Sequence, residues 1–500
     1  MIVAFALLLR LPLLNGSFWL DEAAQALESS RPFSQQLQIR DDFQPPLIHL
    51  LVHFLLQFTR NEALLRTGAA LIPALITIYV MMQIAKKHFC KSCGWLSGLL
   101  LATSSFHIFF SQELRPYSLP AMFALLSWQT VLAVTNKGKA SPHTGIIIGF
   151  KELTLWVLWN ALGLYSSYLY PFVFLGQIVF LLWSWRTSFK KIASMIIASA
   201  VVSLSFLPWL PSFMSQLSAG QQLRKSFPGW QEVVSFDQFK SLTLTFGKFL
   251  FGVLDLSINP FFIFISVTIV GSLIALAFMV RKNKNLLRLV PLWICWVVIP
   301  IGTAWFVSFF IPVLQPKRVL FALPAFYLLF SVLIAEGLKR GAMARILAFV
   351  LLGSMLIVNI FGTFAYYTDT KLQRENWREL QRSISQKYSP GNSIVFLAFN
   401  DQFASWKWYN QDSFPTAVSG VFVIGDDPSS LGRTQLKNIT DYNFILVFEY
   451  LTPLTDPKHW IENDLQRYGF EQVDVIRGNG QLGNVKVFAR TRQIIGYSEY

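Results

Sequence analysis

The sequence is short of charge, and of acidic charge above all. Only 14% of its 500 residues are charged, with 27 acids against 42 Lys and Arg, whereas 53% are hydrophobic; this excludes an ordinary soluble protein. Three cysteines are too few for a disulfide framework, and Cys90 and Cys93 lack the further ligands of a zinc site. We therefore expect free thiols. The chain also lacks a Gly-rich phosphate loop of the Walker or Rossmann type.

What the chain does have is long apolar runs. A membrane span needs about 20 apolar residues, and residues 1–366 contain eleven candidate runs. The predicted spans are 1–14, 63–84, 94–110, 117–135, 145–165, 168–185, 192–211, 258–280, 289–311, 319–337 and 345–366. From residue 367 onward the charge density is that of a globular domain. We predict a polytopic α-helical membrane domain, 1–366, and a small extracytoplasmic α/β domain, 367–500.

The net charge of +15 is concentrated in loops between alternate spans. Five short loops carry fifteen Lys or Arg and no acid: 85–93, 136–144, 186–191, 281–288 and 338–345. Lys and Arg are enriched in cytoplasmic loops, so we predict that these loops face the cytoplasm beneath the plasma or inner membrane and contact anionic lipids. No nucleic-acid partner is implied. The first loop, 15–62, then lies outside.

An apolar run at 45–58 is short for a span. Counting it as a span would move every later loop to the opposite side of the membrane. We predict instead a helix on the outer membrane surface, with a second one at 21–29. His49, His53 and Gln57 recur every four residues, which predicts a polar stripe facing the lipid headgroups.

The predicted outer loop 15–62 is the acidic part of the membrane domain, with six acids against three Arg. A carboxylate there can take a proton from a hydroxyl. Asp21 has an alternative role as a helix N-cap, and Asp41 and Asp42, before Pro-Pro, can belong to a turn.

Two other predicted outer ends of spans carry ionisable groups, which are costly near hydrocarbon and usually face a cavity or a partner. These groups are Glu113, Arg115 and Tyr117 at one end, and Lys317 and Arg318 at the other. Glu113 with Arg115 can be a structural ion pair, and Lys317 with Arg318 an interfacial anchor. Cations also suit a phosphate. Together with the outer carboxylates they predict group transfer from a lipid phosphate.

In order along the chain, these motifs resemble bacterial GT-C glycosyltransferases of the protein O-mannosyltransferase-like group, which includes aminoarabinose transferases. The motifs are FWLDEA (18–23), DDFQPPLIHLL (41–51), SQELRPYSL (111–119), LPWLP (207–211), QPKRVLFALP (315–324) and KLQRENWREL (371–380). Relatives often have His where this chain has Gln44, and Tyr where it has Val319.

The resemblance implies an enzyme that transfers a sugar from a polyprenyl-phosphate donor to a hydroxyl of a lipid, glycan or protein at the outer face, with inversion. It implies that Asp21 is the general base, that Asp41 or Asp42 is a second acid, and that Arg318 lies near the donor phosphate. No particular cofactor is implied, and a divalent metal stays open. The alternative is a transporter or flippase of lipid-linked glycans. Such proteins often show repeated halves and mid-membrane charges, and neither is evident here.

The tail changes periodicity and predicts an α/β domain. The predicted strands are 392–399, 417–425, 443–450, 470–478 and 484–490, and the predicted helices are 403–410 and 457–469. Trp406 and Trp408 can stack on sugar rings, but burial in the core is the favoured interpretation.

Overall fold

The computed structural model describes residues 1–38, 42–137, 149–226, 238–256, 260–420 and 430–490. The chain divides into two units. The first contains the described residues of Met1–Leu14, Pro32–Ala219 and Phe236–Thr368; the second contains those of Asn15–Arg31, Gly220–Ser235 and Asp369–Tyr500. The second unit thus includes Asp21 and its neighbours, although these residues lie within the predicted membrane domain 1–366.

The first unit is helical, because its apolar runs satisfy their backbone hydrogen bonds internally only as helices. In chain order the helices are Ile2–Leu8, Leu47–Leu56, Glu62–Arg66, Ile72–His88, Lys91–Thr103, Ser105–Phe110, Ser118–Lys137, Phe150–Leu164, Tyr170–Trp185, Phe189–Ser205, Leu210–Ser226, Gln238–Phe251, Pro260–Val280, Lys284–Trp293, Ile299–Val307, Leu323–Gly337 and Ala342–Thr368. Shorter 3₁₀ or π turns join several of them.

Within the described residues, seven helices are long and apolar enough to cross a membrane: Glu62–His88, Ser118–Thr135, Phe189–Gln222, Pro260–Val280, Lys284–Val307, Pro316–Gly337 and Ala342–Thr368. Each of the eleven predicted spans contains a helix, and the prediction of a polytopic helical membrane protein is confirmed.

Two predicted spans and the short apolar run show where the helices are interrupted. The predicted span 1–14 is helical only over Ile2–Leu8. The predicted span 94–110 breaks at Ser104, whose hydroxyl accepts a hydrogen bond from the His107 N–H and caps the next helix. The run at 45–58 forms Leu47–Leu56, whose 10 residues span about 15 Å and are too few to cross a bilayer.

The prediction of free thiols at Cys90 and Cys93 is wrong, because the two residues form a disulfide. Cys90 is the N-cap of Lys91–Thr103 and Cys93 lies in its first turn. The helical turn places their Cα atoms 5.0 Å apart, within the range that a disulfide requires.

The second unit contains a five-stranded sheet, which confirms the predicted α/β domain. Its strands are β1 (Ser393–Leu397), β2 (Thr416–Val418), β3 (Phe444–Phe448), β4 (Phe470–Arg477) and β5 (Asn484–Arg490). The strand order is β2-β1-β3-β5-β4. Strand β1 is parallel to β2 and β3, and β5 is antiparallel to β3 and β4. Part of the predicted strand 417–425 lies outside the described residues.

Helices cover both faces of this sheet. They are Leu20–Ser30, Trp377–Lys387, Ala404–Asn410, Ser430–Asn438, Thr452–Thr455 and Trp460–Arg467. Successive residues of a strand point to opposite faces; one face packs against Trp377 and Trp406, and the other against Trp460 and Leu465. Trp406 and Trp408 are buried, as the core interpretation predicted.

Candidate functional site

Asp42 lies at the centre of a polar cluster in the first unit. Its Oδ2 accepts a hydrogen bond from Gln44 Nε2 at 2.5 Å, lies 3.3 Å from Arg115 Nη1 and lies 3.5 Å from His49 Nε2. Gln44 Nε2 is also 2.9 Å from His49 Nε2. We call Asp42, Gln44, His49 and Arg115 the Asp42 cluster. Asp41 lies outside the described residues.

The Pro-Pro sequence after Gln44 sets the direction of the helix that carries His49. Proline fixes φ and suits the start of a helix, and Pro46 is the N-cap of Leu47–Leu56. The Leu47 N–H donates to the Tyr165 carbonyl at 3.0 Å, which ties the start of this helix to the end of Phe150–Leu164.

The predicted headgroup-facing stripe is wrong at its first member. His49 is only 1% exposed and contacts Asp42 and Gln44, whereas His53 is half-buried and Gln57 is exposed. The buried imidazole finds polar partners because burying a polar group without them is costly.

A hydrogen-bond chain connects this cluster to the LPWLP motif. Gln216 Nε2 donates to the Gln44 carbonyl at 3.5 Å. The Tyr168 hydroxyl donates to Gln216 Oε1 at 2.7 Å and accepts from Trp209 Nε1 at 2.9 Å. In the sequence, Trp209 stands out only as part of the LPWLP motif, and no local signal marks Tyr168 or Gln216.

The turn 111–117 carries three of the predicted site residues, and two of them reach other candidates. Arg115 contacts Asp42, as described above. The Lys317 Nζ lies 5.6 Å from the centre of the Tyr117 ring, a cation–π geometry. This turn therefore places Asp42, Arg115, Tyr117 and Lys317 in one region of the first unit. Glu113, in the same turn, is 1% exposed.

A buried amide fixes this turn. Gln112 Nε2 donates to the carbonyls of Arg10 and Pro12 at 2.8 and 2.6 Å, and its Oε1 accepts from the Tyr366 hydroxyl at 3.0 Å. Three well-made hydrogen bonds in a buried position restrict the turn strongly. No local sequence signal indicates this role, since the partners are distant along the chain.

Arg10 supports the same region from the first predicted span, where it is the single charged residue. It is fully buried. Its Nη1 donates to the carbonyls of Ala6 and Ala102 at 2.8 and 3.0 Å, and its Nη2 lies 2.9 Å from His107 Nδ1. A cation at the carbonyl end of Lys91–Thr103 is favoured by the helix dipole.

Arg318 and Lys317 are adjacent but make different contacts. Arg318 Nη1 donates to the carbonyls of Pro312 and Val313 at 3.5 and 3.4 Å, while Lys317 lies over Tyr117. The backbone bends immediately after them, because Val319 has non-helical φ and ψ angles within the 3₁₀ segment Pro316–Ala322.

Asp21 lies in the second unit, in the first turn of Leu20–Ser30. The helix N-cap is Trp19, and no side chain caps it, so the N-cap alternative for Asp21 is wrong. Asp21 is half-buried. Glu22 is fully buried and contacts Arg374, with 3.5 Å between Oε2 and Nε.

The neighbours of Asp21 include a second carboxyl, that of Glu375. Burial raises the pKa of Glu375, and the charge of Asp21 raises it further against opposing hydrogen bonds. Burial also raises the pKa of the Tyr450 hydroxyl, together with the charges of Glu375 and Asp21. We call Asp21, Glu375, Trp377 and Tyr450 the Asp21 cluster. Glu375 lies in the quoted motif KLQRENWREL, which is the only sequence signal for it.

Within the part of the chain that the structure describes, no group of three or more His, Cys, Asp or Glu side chains could hold a metal ion.

No protein-family model matches this sequence, and no curated protein matches it significantly. The structure does have relatives. ArnT from Cupriavidus metallidurans bound to undecaprenyl phosphate is 13% identical, with 97% of each chain covered and a TM-score of 0.57. Its apo state gives 11% identity and a TM-score of 0.53 over the same coverage.

A second relative is the Archaeoglobus fulgidus oligosaccharyltransferase tethered to an acceptor peptide with the NVT sequon. It is 12% identical over 95% of this chain and 72% of that one, with a TM-score of 0.51. Both proteins are GT-C glycosyltransferases. The chain thus has the GT-C fold, as its sequence motifs predicted, and it is a multi-pass membrane protein.

Proposed function

We propose that this protein is a glycosyltransferase that moves a sugar from a polyprenyl-phosphate-linked donor to a hydroxyl acceptor. The supporting fold is that of ArnT, which was crystallised with undecaprenyl phosphate. The observation that carries the proposal is the turn 111–117, through which Arg115 meets Asp42 and Tyr117 meets Lys317. Cations and a carboxylate thereby converge between membrane helices.

The donor phosphate is the ligand that suits these cations. Arg115, Lys317 and Arg318 are its proposed ligands, because a guanidinium can bind two phosphate oxygens at once and an ammonium adds a point charge. Asp42 holds Arg115 from one side, which orients the guanidinium. In this role Asp42 is a partner of a cation.

Asp21 is the proposed general base. Asp42 lies beside Arg115, Gln44 and His49, which suits the role of a partner of a cation. Asp21 instead is the Asp of the Asp-Glu pair in the motif FWLDEA, which the family resemblance makes the general base, and it lies near the carboxyl of Glu375. Asp21 is therefore proposed for proton removal and Asp42 for holding Arg115.

The reaction needs one base and no second acid. The acceptor oxygen attacks the anomeric carbon, its proton passes to a carboxylate oxygen of Asp21, and the bond between that carbon and the phosphate oxygen breaks. Polyprenyl phosphate leaves as a stabilised anion. A single displacement of this kind inverts the anomeric centre, whereas retention would require a covalent intermediate.

We further propose that the reaction occurs on the extracytoplasmic side, because the five basic loops favour a cytoplasmic position. The Cys90–Cys93 disulfide lies in one of those loops, although disulfides are typical of oxidising compartments. A tag after Tyr500 should be accessible from outside intact cells, and tags inserted in loops 85–93 and 281–288 should be protected. The reverse pattern would overturn the orientation.

The activity itself is tested with purified protein in lipid nanodiscs. We expect release of free polyprenyl phosphate from synthetic polyprenyl-phosphate sugars when an acceptor extract from the membrane is added. The product's anomeric configuration should be opposite to the donor's. Translocation of the lipid-linked sugar across proteoliposomes without any release of polyprenyl phosphate would instead support the transporter alternative.

A further inference from the structure

The Cys90–Cys93 disulfide joins a half-buried cysteine to a fully buried one. We propose that Cys90 is a modification site for acidic low-molecular-weight thiols of the glutathione class, and that Cys93 removes the modification by re-forming the disulfide. Both cysteines lie in the first unit, at the start of the helix Lys91–Thr103. Neither takes part in the proposed sugar transfer.

Unequal exposure decides which of the two cysteines a thiol in solution attacks. Cys90 is half-buried, whereas Cys93 is 0% exposed. Thiol–disulfide exchange depends on which sulfur the attacking thiolate can reach. The attack is therefore directed to Cys90, and the sulfur of Cys93 is the leaving group.

The exchange consists of two displacements that balance. A thiolate from solution attacks Cys90 Sγ, the S–S bond breaks, and the Cys93 sulfur leaves as a thiolate that takes a proton from water. This step forms a mixed disulfide on Cys90. In the return step the Cys93 thiolate attacks Cys90 Sγ, the original disulfide forms again, and the small thiol leaves. No oxidant is consumed, because the mixed disulfide already holds the oxidised sulfur.

The backbone keeps the two cysteines within one helical turn when the disulfide is open. The Gly94 N–H donates to the Cys90 carbonyl at 3.1 Å, and the Cys90 N–H donates to the Ala85 carbonyl at 3.1 Å. The Cys93 N–H also donates to Cys90 Sγ at 2.9 Å. The two bonds to carbonyls do not depend on the S–S bond, so Cys93 stays beside Cys90 and the return step is intramolecular.

Three exposed lysines near the pair in sequence favour a thiol of negative charge. Lys86 and Lys87 lie in the last turn of the preceding helix, and Lys91 directly follows Cys90; all three are exposed. The sequence contains no Asp or Glu from 63 to 112. Glutathione has a net negative charge at neutral pH and is attracted by such a group of cations. Charge complementarity therefore selects an acidic thiol over a cationic one.

The first test locates the modification in purified full-length protein in nanodiscs of neutral lipid. In Cys93→Ser, glutathione disulfide should attach one glutathione to Cys90, because the sulfur that would expel it is absent. In Cys90→Ser, the buried Cys93 should react at least about tenfold more slowly. Peptide mass spectrometry after acid quenching identifies the modified residue. Cys295 is buried and unpaired, so it should stay unmodified in both variants and serves as the internal control.

The second test measures the preference for acidic thiols. The rate of Cys90 modification by glutathione disulfide is divided by the rate with cystamine, which is cationic. This ratio should exceed the same ratio for a small model thiol by about 3–10-fold at low salt and should fall at high salt. Lys91→Gln should lower the excess, whereas Lys282→Gln, at an exposed position in another basic loop, should not. A ratio equal to that of the model thiol would overturn the selection of an acidic thiol.

A third measurement needs no substitution. The unmodified protein is treated briefly with excess glutathione and quenched with acid, and the mixed disulfide should be found on Cys90. When the glutathione is removed at neutral pH instead, the chains that carry it should release it and re-form the disulfide with Cys93. A mixed disulfide on Cys93, equal modification of both cysteines, or complete resistance to excess glutathione would overturn the proposal.

Discussion

Asp42 and Asp21 are two acids in contrasting surroundings. Asp42 meets a guanidinium, an amide and an imidazole, whereas Asp21 lies near a second carboxyl and a tyrosine hydroxyl whose pKa values it raises. Two carboxyl groups in one protein can take different roles in different surroundings. The contrast supports the proposed roles, in which Asp42 holds a cation and Asp21 accepts the proton.

The segments that supply the partners also differ. Asp42 draws its partners from short turns and helix ends of the helical unit, where the proposed phosphate ligands also lie. Asp21 draws Glu375 and Tyr450 from the unit with the sheet, where buried hydrogen bonds fix them. A role for the α/β domain follows from this difference: it supplies the surroundings of the proposed base.

The largest effect is expected from Asp21→Asn. Asn keeps the size of the side chain, so the helix Leu20–Ser30 should form normally, while the base is lost. A positioned base contributes about 10²–10⁴-fold, and kcat/KM for sugar transfer should fall by that factor. Glu22→Gln is the matched control. It changes the adjacent acid, which faces Arg374, and should reduce transfer far less.

Equal losses in the two variants would mean that the helix start as a whole matters and that Asp21 has no special part. Full transfer by a well-expressed Asp21→Asn protein would turn attention to Asp41 and Asp42.

The next effect is expected from Arg318. Loss of one charge-assisted hydrogen bond costs about 1.5–3 kcal/mol, so Arg318→Ala should lower kcat/KM about 10–100-fold. Arg318→Lys should lower kcat/KM less than Arg318→Ala, because the positive charge remains. It should not restore full activity, because an ammonium cannot bind two phosphate oxygens as a guanidinium does. Lys317→Ala is measured in parallel. Arg281→Ala is the control, because Arg281 stacks on Phe278 at 3.8 Å in a predicted cytoplasmic loop.

Near-normal transfer by Arg318→Ala would exclude Arg318 from the phosphate site and leave Arg115 and Lys317 as its candidates.

Asp42→Asn directly tests the contrast between the two acids. If Asp42 only orients Arg115, the variant should raise KM for the lipid donor about tenfold, equivalent to about 1.4 kcal/mol, and should keep the acidic limb of the pH profile. Steady-state kinetics at several pH values measure both quantities. A loss as large as that of Asp21→Asn, or a vanished acidic limb, would exchange the roles of the two acids.

The sequence predicted the features that depend on local pattern. Hydrophobic run length predicts the membrane helices, a short apolar run predicts β3, and two-residue alternation predicts β5. Arg115 and Lys317 are candidates from the sequence because each is a charged residue at the end of a long apolar run. Each of these signals is complete within about 20 residues, and no tertiary partner is needed to recognise it.

Features that depend on distant partners were missed or misassigned. The prediction that His49 faces the headgroups is wrong because helical spacing shows only that polar residues share one face of the helix. It does not show what that face contacts. No local pattern in the sequence marks Gln112 or Glu375. Their hydrogen-bond partners, Tyr366 and Tyr450, lie 254 and 75 positions further along the chain. The small number of cysteines and the predicted cytoplasmic loop argue against a disulfide between Cys90 and Cys93. One turn of helix nevertheless brings the two residues close enough to form it.

The smallest effect is expected from Tyr366→Phe. This variant tests whether Gln112 holds the turn 111–117, which carries Arg115 of the Asp42 cluster, in place. The variant removes the hydroxyl that donates to Gln112 Oε1 at 3.0 Å, and one such hydrogen bond contributes about 0.5–1.5 kcal/mol. The thermal midpoint in detergent should fall by a few degrees, and KM for the lipid donor should rise less than about threefold. The acidic limb should stay in place, because the turn 111–117 belongs to the cation-holding region and not to the surroundings of Asp21. Tyr79→Phe is the control, since Tyr79 is 54% exposed and should change neither quantity. A shift of the acidic limb in Tyr366→Phe would contradict the separation of roles between the two acids.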